Sequence, residues 1–235
     1  MIDKKTIEDW NNSFKNESPE NILRFFLNYF EERIALSSSM GPEDQVLTKI
    51  TTSVYPKTEI FTLDTGRLFP ETYDLIDRTS KKYKAPIKVY FPDPKEIEEM
   101  VSSKGINLFF DSIENRKLCC SLRKLKPLSR ALQGLDAWIT GLRKEQSITR
   151  NHLQVIEWDD VNNLLKINPL INWTEKDVWD YIDQNNIPYS PLHKKGFASI
   201  GCQPCTRAIV EGEDERAGRW WWENPETKEC GLHQK

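Results

Sequence analysis

Apolar and polar residues alternate along this chain in short blocks of two kinds. Runs of four or five mainly apolar residues bounded by turn-forming residues predict buried strands, at positions 33–37, 59–63 and 87–91. Each run precedes a longer segment with apolar residues at helical spacing, at about 42–52, 70–82 and 94–103. Three strand–helix repeats of this length predict βαβ units, and so an α/β fold with a doubly wound, mostly parallel sheet.

The second half of the chain continues this alternation. Short apolar runs predict further strands at 137–140, 153–157 and 164–167. Two helix starts carry capping residues: Ser18 precedes Pro19, and Thr174 is followed three residues later by Asp177, which opens a helix to about Asn185. From about residue 212 the chain becomes polar and carries three consecutive tryptophans, 220–222, which we expect to pack in a core. We therefore expect one α/β domain over residues 1–211 and, over residues 212–235, a C-terminal tail that lies over the active site.

Composition narrows the class of protein. Hydrophobic residues make up 38% and charged residues 29% of the 235 residues, a balance typical of a folded globular protein. The net charge of −3 gives no reason to expect nucleic acid as a partner. No apolar run approaches the ~20 residues of a membrane helix, and the charged N-terminal segment does not resemble a signal peptide. We expect a cytoplasmic protein that binds no membrane and keeps its thiols reduced.

Five cysteines form two pairs and one single residue. Cys119 and Cys120 are adjacent, Cys202 and Cys205 form a C-x-x-C motif, and Cys230 stands alone. Four thiolates are enough to hold a zinc ion or an iron–sulfur cluster, and both remain open from the spacing. The alternative is a solvated charged helix that happens to carry two buried cysteines. Cations near the adjacent pair favour an anionic centre, and these are Arg116, Lys117, Arg123, Lys124 and Lys126. The fifth cysteine is predicted to be a reactive thiol.

Two polar loops follow predicted strands at the carboxyl edge of the sheet, where open α/β sheets bind ligands. The first leads into a helix whose free N–H groups could cradle an anion, and its candidate residues are Ser37, Ser38, Ser39 and Gly41. The second offers a carboxylate for a ribose hydroxyl or base amine and a guanidinium for a phosphate, through Asp64, Thr65, Gly66 and Arg67. The alternatives without a ligand are an ordinary helix N-cap for the first loop and a polar turn for the second.

Taken together, these motifs resemble the assimilatory adenylyl-sulfate (APS) reductases, the cluster-bearing branch of the phosphoadenylyl-sulfate (PAPS) reductase family. The resemblance runs from Ile34 onward and implies an adenine nucleotide α-hydrolase-like fold. It rests on S-S-S-M-G-P-E-D at 37–44, L-D-T-G-R at 63–67, L-C-C at 118–120, W-I-T-G-L-R-K-E-Q-S at 138–147, I-G-C-Q-P-C at 200–205 and E-C-G-L-H at 229–233.

The resemblance implies a reaction, a cofactor and site residues. The reaction is the reduction of APS to sulfite and AMP through an S-sulfocysteine on Cys230, with thioredoxin or a similar dithiol as electron donor. The cofactor is one 4Fe–4S cluster per chain, held by Cys119, Cys120, Cys202 and Cys205, in a structural and electrostatic role. Residues expected to serve the substrate or the Cys230 thiolate are Lys124, Arg143, Arg216, Arg219 and His233.

Three other functions remain open from the sequence. PAPS could replace APS as the substrate, or both could be used. An adenylyltransferase of the same superfamily would need an intact glycine-rich pyrophosphate loop. A non-enzymatic metal or redox sensor would need no reactive Cys230. Homo-oligomerisation is also left open.

Overall fold

The described residues form one six-stranded sheet in this computed structural model, which describes residues 2–146, 150, 152–224 and 231. The strands are β1 (Ile34–Ser37), β2 (Glu59–Leu63), β3 (Ile87–Tyr90), β4 (Ala137–Ile139), β5 (Ile156–Asp159) and β6 (Leu164–Ile167). Their order across the sheet is β3-β2-β1-β4-β6-β5. Strand β1 runs parallel to β2 and β4, and β4 runs parallel to β6. The pairing of β5 with β6 is antiparallel. The predicted α/β fold with a mostly parallel sheet is confirmed.

Helices alternate with the strands. They are α1 (Lys4–Phe14), α2 (Pro19–Phe30), α3 (Pro42–Val54), α4 (Pro70–Tyr83), α5 (Pro94–Lys104), α6 (Ile113–Cys120), α7 (Lys126–Ala131) and α8 (Glu175–Gln184). The Ser18 side chain accepts a hydrogen bond from the Asn21 N–H, and Thr174 and Asp177 form a reciprocal capping box. Both predicted helix starts are therefore confirmed. The sequence patterns did not predict α1, α6 or α7.

The edge strand β5 differs from its prediction. The sequence placed a strand at 153–157, but β5 begins at Ile156 and ends at Asp159. The Leu153 N–H donates to the Arg150 carbonyl at 3.0 Å, so the chain turns just before the strand. The Asn11 amide then pairs with the first strand residue, accepting from the Ile156 N–H at 3.0 Å and donating to the Ile156 carbonyl at 2.8 Å. A side chain of α1 thus covers part of an exposed strand edge.

The strand connections change direction between β1 and β4. From β1 the sheet proceeds through β2 to β3 on one side, and from β4 to β6 on the other. Leu36 pairs with Ile139, so the loops that follow β1 and β4 emerge beside each other. Open α/β sheets form their ligand crevice at such a switch point, beyond the carboxyl ends of the strands. The fold therefore places residues 37–41 and 140–143 where a ligand is expected.

Contacts divide the chain into two compact units. The first comprises Met1–Phe61, Asp74–Lys88 and Gly134–Ser190, and the second comprises Thr62–Tyr73, Val89–Gln133 and Pro191–Lys235. The first unit buries the apolar face of α2 against residues of the sheet, and the second buries Leu108, Phe109, Cys119, Cys205 and Trp220 together. Within the part of the chain that the structure describes, no helix is both long and apolar enough to cross a membrane. The boundary expected at residue 211 stays a prediction.

Candidate active site

A carboxylate of α3, the helix that follows, binds the loop after β1. The Asp44 carboxylate oxygen Oδ2 accepts hydrogen bonds from both the N–H and the hydroxyl of Ser39, each at 2.6 Å. Burial raises the pKa of Asp44 to about 6, although these hydrogen bonds act in the opposite direction. Gly41 provides the N-cap position of α3 without a side-chain hydrogen bond, and the Ser38 hydroxyl accepts from the Met40 N–H at 3.2 Å. The donors of Ser39 are therefore already engaged within the loop.

The loop after β4 packs against the same helix start. A Cβ built on Gly141 would lie 2.4 Å from Oδ1 of Asp44, so only glycine fits without displacing this carboxylate. Arg143, which is 1% exposed, donates from Nε to Oε1 of Glu43 at 2.7 Å. The same oxygen accepts from Nε2 of Gln146 at 3.0 Å. A buried, ion-paired guanidinium therefore lies at the switch point, and its predicted contact with substrate stays a prediction.

The adjacent cysteines lie at the end of α6, which Ser112 caps by accepting from the Asn115 N–H. The helix continues directly into a π-helical turn, Ser121–Leu125, which the Lys126 N–H closes by bonding to the Ser121 carbonyl. Residues three or four positions apart share a helix face, so Cys119 and Cys120 lie near basic residues of the neighbouring turns. π-Helical turns are rare and are frequently found at functional sites.

The C-x-x-C motif forms a tight turn in the same unit. The Cys205 N–H donates to the Cys202 carbonyl at 2.9 Å across the 3₁₀ turn Gln203–Cys205. The backbone of this turn is tied to the loop after β2, because the Gln203 N–H donates to the Arg67 carbonyl at 2.8 Å. The hydroxyl of Thr65 lies 3.2 Å from Sγ of Cys202. These contacts join the turn that carries both cysteines of the motif to the loop after β2.

All four of these cysteines line one pocket. Burial raises the pKa of Cys205 to about 12, with a further increase from Cys202 and Cys120; Lys124 and Arg219 counter it. Burial also raises the pKa of Cys119, and Arg123 beside it acts in the opposite direction. Cations line the same pocket, and these are Arg67, Arg116, Arg123, Lys124 and Arg219. The pocket therefore gathers soft sulfur ligands within a positive surround.

The donor set fits an iron–sulfur cluster in its chemistry. Thiolates are the ligands of such clusters, and a cluster with four thiolates is anionic, which suits a cation-lined pocket. Among the described residues, no group of three or more His, Cys, Asp or Glu side chains is arranged to hold a single metal ion. The cluster itself stays a proposal.

The cation of the second loop has partners within its own unit. Arg67 donates to the Ile106 carbonyl at 2.5 Å and to Oδ1 of Asn107 at 2.9 Å, and its guanidinium lies 5.1 Å from the centre of the Phe109 ring. Asp64 is 5% exposed and accepts from the Gly66 N–H at 2.7 Å and from the Tyr73 hydroxyl at 2.9 Å. The ligand-binding roles predicted for Asp64 and Arg67 stay predictions.

The last described turn of the chain before residue 225 is anchored through Trp220. Trp220 is 1% exposed, and its backbone N–H donates to the Cys205 carbonyl at 3.2 Å. The guanidinium groups of Arg116 and Arg219 lie 4.9 Å and 4.7 Å from the centre of its ring. Trp221 is 40% exposed, so the expectation of a tryptophan core is wrong for this residue, whose ring instead lies against Phe110 near the surface.

Some predicted site residues cannot be placed, and others were not foreseen. Cys230 and His233 lie outside the described residues. Arg216 is half-buried, and its N–H donates to Oδ1 of Asp214 at 2.8 Å. Sequence reasoning gave no role to Glu43, Glu223 or Arg150; Arg150 is 6% exposed and donates to Oε1 of Gln146 at 2.5 Å.

The fold and the pocket define a class: an α/β protein with a switch-point loop and a four-cysteine, cation-lined pocket. A sequence model described as "Phosphoadenosine phosphosulfate reductase domain" matches residues 33–208. The chain belongs to the phosphoadenosine phosphosulfate reductase family, as its motifs indicated.

Relatives and solved structures agree with this family. The chain is 54% identical over 204 residues to a protein of Allochromatium vinosum named adenosine 5'-phosphosulfate reductase, covering 87% of this chain and 80% of that one. It resembles the crystal structure of a PAPS reductase from Candida auris with a TM-score of 0.77 and 29% identity, covering 89% of this chain and 98% of that one. The FMN adenylyltransferase of Candida glabrata, with a TM-score of 0.56 and 18% identity over 97% of this chain and 78% of that one, shares the fold alone.

Proposed function

We propose that this chain reduces APS to sulfite and AMP, as a sulfur-group oxidoreductase that takes electrons from thioredoxin or a similar dithiol. The observation that carries the proposal is the convergence of four cysteines in one cation-lined pocket. The 54% identity to a protein named adenosine 5'-phosphosulfate reductase supports APS as the substrate. The dithiol requirement agrees with the expected cytoplasmic location, where such donors are kept reduced.

The proposed cofactor is one 4Fe–4S cluster, held by Cys119, Cys120, Cys202 and Cys205. When bound, it would supply a fixed anionic centre that organises the cations around it. Thioredoxin's dithiol supplies both electrons of the reaction, so no electron need pass through the cofactor. The surrounding cations oppose the burial that raises the pKa of Cys205, which favours the thiolate form that ligation requires.

The proposed nucleophile is the Cys230 thiolate. Its sulfur attacks the sulfur atom of APS, a new S–S bond forms, and the S–O bond to the phosphate breaks with AMP as the leaving group. A thiolate of the dithiol donor then attacks Sγ of Cys230, and sulfite leaves with the electron pair of the broken S–S bond. The donor's second thiol releases Cys230 and leaves the donor as a disulfide. Two electrons thus pass from the dithiol to the sulfate sulfur.

Cations are needed because both reactants are anions. An ordinary thiol is mainly protonated at neutral pH, and a cation beside it lowers its pKa. We assign this task to Arg216, Arg219 and His233, and binding of the phosphosulfate to Lys124 and Arg143. Nucleotide binding is assigned to the loops after β1 and β2, through Ser37, Ser38, Ser39, Gly41, Asp64, Thr65 and Gly66.

The decisive experiment separates the four pocket thiols from Cys230. Anaerobically purified protein should be brown and contain four irons per chain, as expected for such a cluster. Serine variants of the four pocket cysteines should lose iron, and Cys230→Ser should keep iron while losing reductase activity. Incubation with APS without a dithiol should add one SO₃ group to Cys230, detected by mass spectrometry. Colourless zinc protein, or an adduct on another cysteine, would contradict the proposal.

PAPS is the second candidate substrate, because the solved structure with a TM-score of 0.77 is a PAPS reductase. Comparing kcat/KM for the two nucleotides decides between them. A preference for PAPS would leave the proposed reduction through Cys230 unchanged and replace APS by PAPS as the substrate. ATP-dependent transfer of AMP, without sulfite formation, would instead support the adenylyltransferase alternative. Absence of both activities in iron-loaded protein would support a sensor.

A further inference from the structure

A buried asparagine directly after β6 binds the first residue of the loop after β4. Oδ1 of Asn168 accepts from the Thr140 hydroxyl at 2.6 Å. Nδ2 of Asn168 donates to the Gln154 carbonyl at 2.9 Å and to Oε2 of Glu157 at 3.1 Å. Asn168 is 0% exposed and Thr140 is 3% exposed, so these bonds are shielded from solvent. Both the oxygen and the nitrogen of the amide are thus engaged within the protein.

These partners fix which way round the Asn168 amide lies. The Gln154 carbonyl can only accept a hydrogen bond, so it must face the nitrogen of the amide. The amide oxygen therefore faces Thr140, whose hydroxyl has to be the donor. Asn168 also precedes Pro169, and a residue before proline is biased towards extended backbone conformations. The backbone and the side-chain partners of Asn168 therefore specify the same arrangement.

The chain after β6 also holds the loop after β4 through its backbone. We call residues 140–144 the arginine loop. The Thr140 backbone N–H donates to the Ile167 carbonyl at 2.9 Å, and the Lys144 N–H donates to the Ile171 carbonyl at 3.0 Å. The arginine loop is thus tied at its first and last residue to the end of β6 and the chain that follows it.

The tied loop carries the cation to which the phosphosulfate is assigned. Arg143 lies between the two backbone bonds, and its Nε donates to Oε1 of Glu43 at 2.7 Å. A guanidinium with a fixed backbone and a fixed partner at Nε has few orientations left for its terminal nitrogens. The hydrogen bond from Thr140 to Asn168 adds a side-chain tie where the loop leaves β4. The location of the guanidinium therefore depends on this buried contact.

We propose that Asn168 and Thr140 are positioning residues for Arg143. They hold the arginine loop against the chain after β6, and their effect on APS binding is exerted through the location of the Arg143 guanidinium. Neither residue reacts. This inference rests on the proposed function, which assigns the phosphosulfate to Arg143, but its structural consequence is measurable without any substrate.

The first test measures the arginine loop in full-length, iron-loaded protein without substrate. Thr140→Val keeps the shape of the side chain and removes the donor, so the buried Oδ1 of Asn168 loses this partner. Hydrogen exchange of the backbone amides at 140–144, followed by mass spectrometry, should become about tenfold faster. Thr140→Ser restores the hydroxyl and should bring the exchange rate to within about twofold of the parent.

The second test measures APS binding in a Cys230→Ser background, in which the proposed reaction cannot proceed. Thr140→Val should raise the Kd for APS about tenfold, measured by isothermal titration calorimetry. In an added Arg143→Lys background, the same change should raise the Kd by less than about twofold, because the guanidinium through which it acts has been removed.

The matched control is Thr79→Val. The Thr79 hydroxyl accepts from Nε2 of Gln45 at 2.8 Å, and both side chains are buried. This variant also removes a threonine hydroxyl from a buried amide in the same compact unit, but at a contact between α3 and α4. It should leave both the exchange rate at 140–144 and the Kd for APS within about twofold of the parent.

The outcomes separate the inference from the function on which it rests. Unchanged exchange at 140–144 in Thr140→Val overturns the inference, and so does an equal change in Thr79→Val, which indicates a general loss of stability. Faster exchange with an unchanged Kd for APS also overturns it, as does a full effect in the Arg143→Lys background. If the parent neither binds APS nor forms an adduct on Cys230, the proposed function fails. The exchange result then still decides whether the buried contact holds the arginine loop.

Discussion

Gly201 lies directly against the guanidinium of Arg219, and a Cβ at this position would be 2.2 Å from Nη2. Arg219 is 7% exposed, and its Nη1 lies 3.5 Å from the Ser199 hydroxyl and 3.4 Å from the Ile200 carbonyl. The glycine of the I-G-C-Q-P-C motif thus makes room for a cation that lines the cysteine pocket. Because Gly201 has no side chain, the Arg219 guanidinium can occupy this position.

Gly201→Ala should therefore impair activity more than stability. The clash is with the end of a flexible side chain, so Arg219 moves and the fold accommodates the methyl group. We expect the free energy of unfolding to fall by about 1 kcal/mol or less and the kcat for APS to fall at least tenfold. Urea denaturation and steady-state kinetics on the same preparation measure the two effects.

Gly218→Ala provides the contrasting variant. Its added Cβ would lie 2.3 Å from the Arg207 carbonyl oxygen, which is backbone and cannot turn away. We expect it to cost more than 2 kcal/mol of stability. If Gly201→Ala destabilises the protein as much as Gly218→Ala, the role given to Gly201 is wrong.

The buried pair of Glu43 and Arg143 should contribute to stability. Glu43→Ala removes the carboxylate that Nε of Arg143 binds at 2.7 Å, in a site where the arginine side chain is 1% exposed. We expect a loss of about 3 kcal/mol in the free energy of unfolding, measured by urea denaturation. Glu145 also lies near this guanidinium, at 3.5 Å, but is 55% exposed. Glu145→Ala should cost no more than about 0.5 kcal/mol, and equal losses in the two variants would contradict this prediction.

The three-fold alternation of strands and helices could be predicted from sequence because its signals are local. Strands β1 to β3 are short apolar runs, and the helices after them begin with proline or an acidic first turn. Helix α6 could not be found in this way, because its buried face carries arginine and cysteine. Arg116 and Cys119 of α6 and Arg123 of the following π-helical turn are buried at intervals of three and four residues. This spacing is typical of one face of a helix, although two of the three residues are arginines. It is the signal in the sequence from which this helix could have been predicted.

The four-cysteine pocket could be predicted from pairing and resemblance, but its supporting contacts could not. Arg116 binds a carboxylate 107 residues away, and Arg143 binds one 100 residues away. No local pattern distinguishes such carboxylates from solvated ones. The folded chain alone shows that Glu223 and Glu43 neutralise buried arginines.

Arg67 is expected to act through the structure of its own unit. Its guanidinium is bound to the Ile106 carbonyl and to Asn107, and it lies over the Phe109 ring. Arg67→Ala should lower the free energy of unfolding by about 2 kcal/mol, with KM for APS within about threefold of the parent. Denaturation and kinetics check this prediction. A large increase in KM at unchanged stability would instead support the phosphate contact predicted from sequence.

The Asp44 carboxyl should give the protein a measurable pH dependence. Burial raises its pKa from 3.8 to about 6, so the folded state binds the proton more tightly than the unfolded state does. The protonated carboxyl therefore favours the folded state at low pH, and this stabilisation is lost as the pH rises from about 4 to about 6. Asp44→Asn removes the titration and keeps an oxygen that can accept from Ser39. Between pH 4 and pH 7, the free energy of unfolding of the parent should fall relative to this variant by up to about 3 kcal/mol.

Urea denaturation of both proteins at unit intervals of pH measures this difference. Ser39→Ala sharpens the test, because the Ser39 hydroxyl donates to Oδ2 of Asp44 at 2.6 Å and so favours the charged form. Without that donor the pKa of Asp44 rises further, and the loss of stability should extend to higher pH than in the parent. Parallel pH profiles for the parent and Asp44→Asn would show that Asp44 does not titrate in this range.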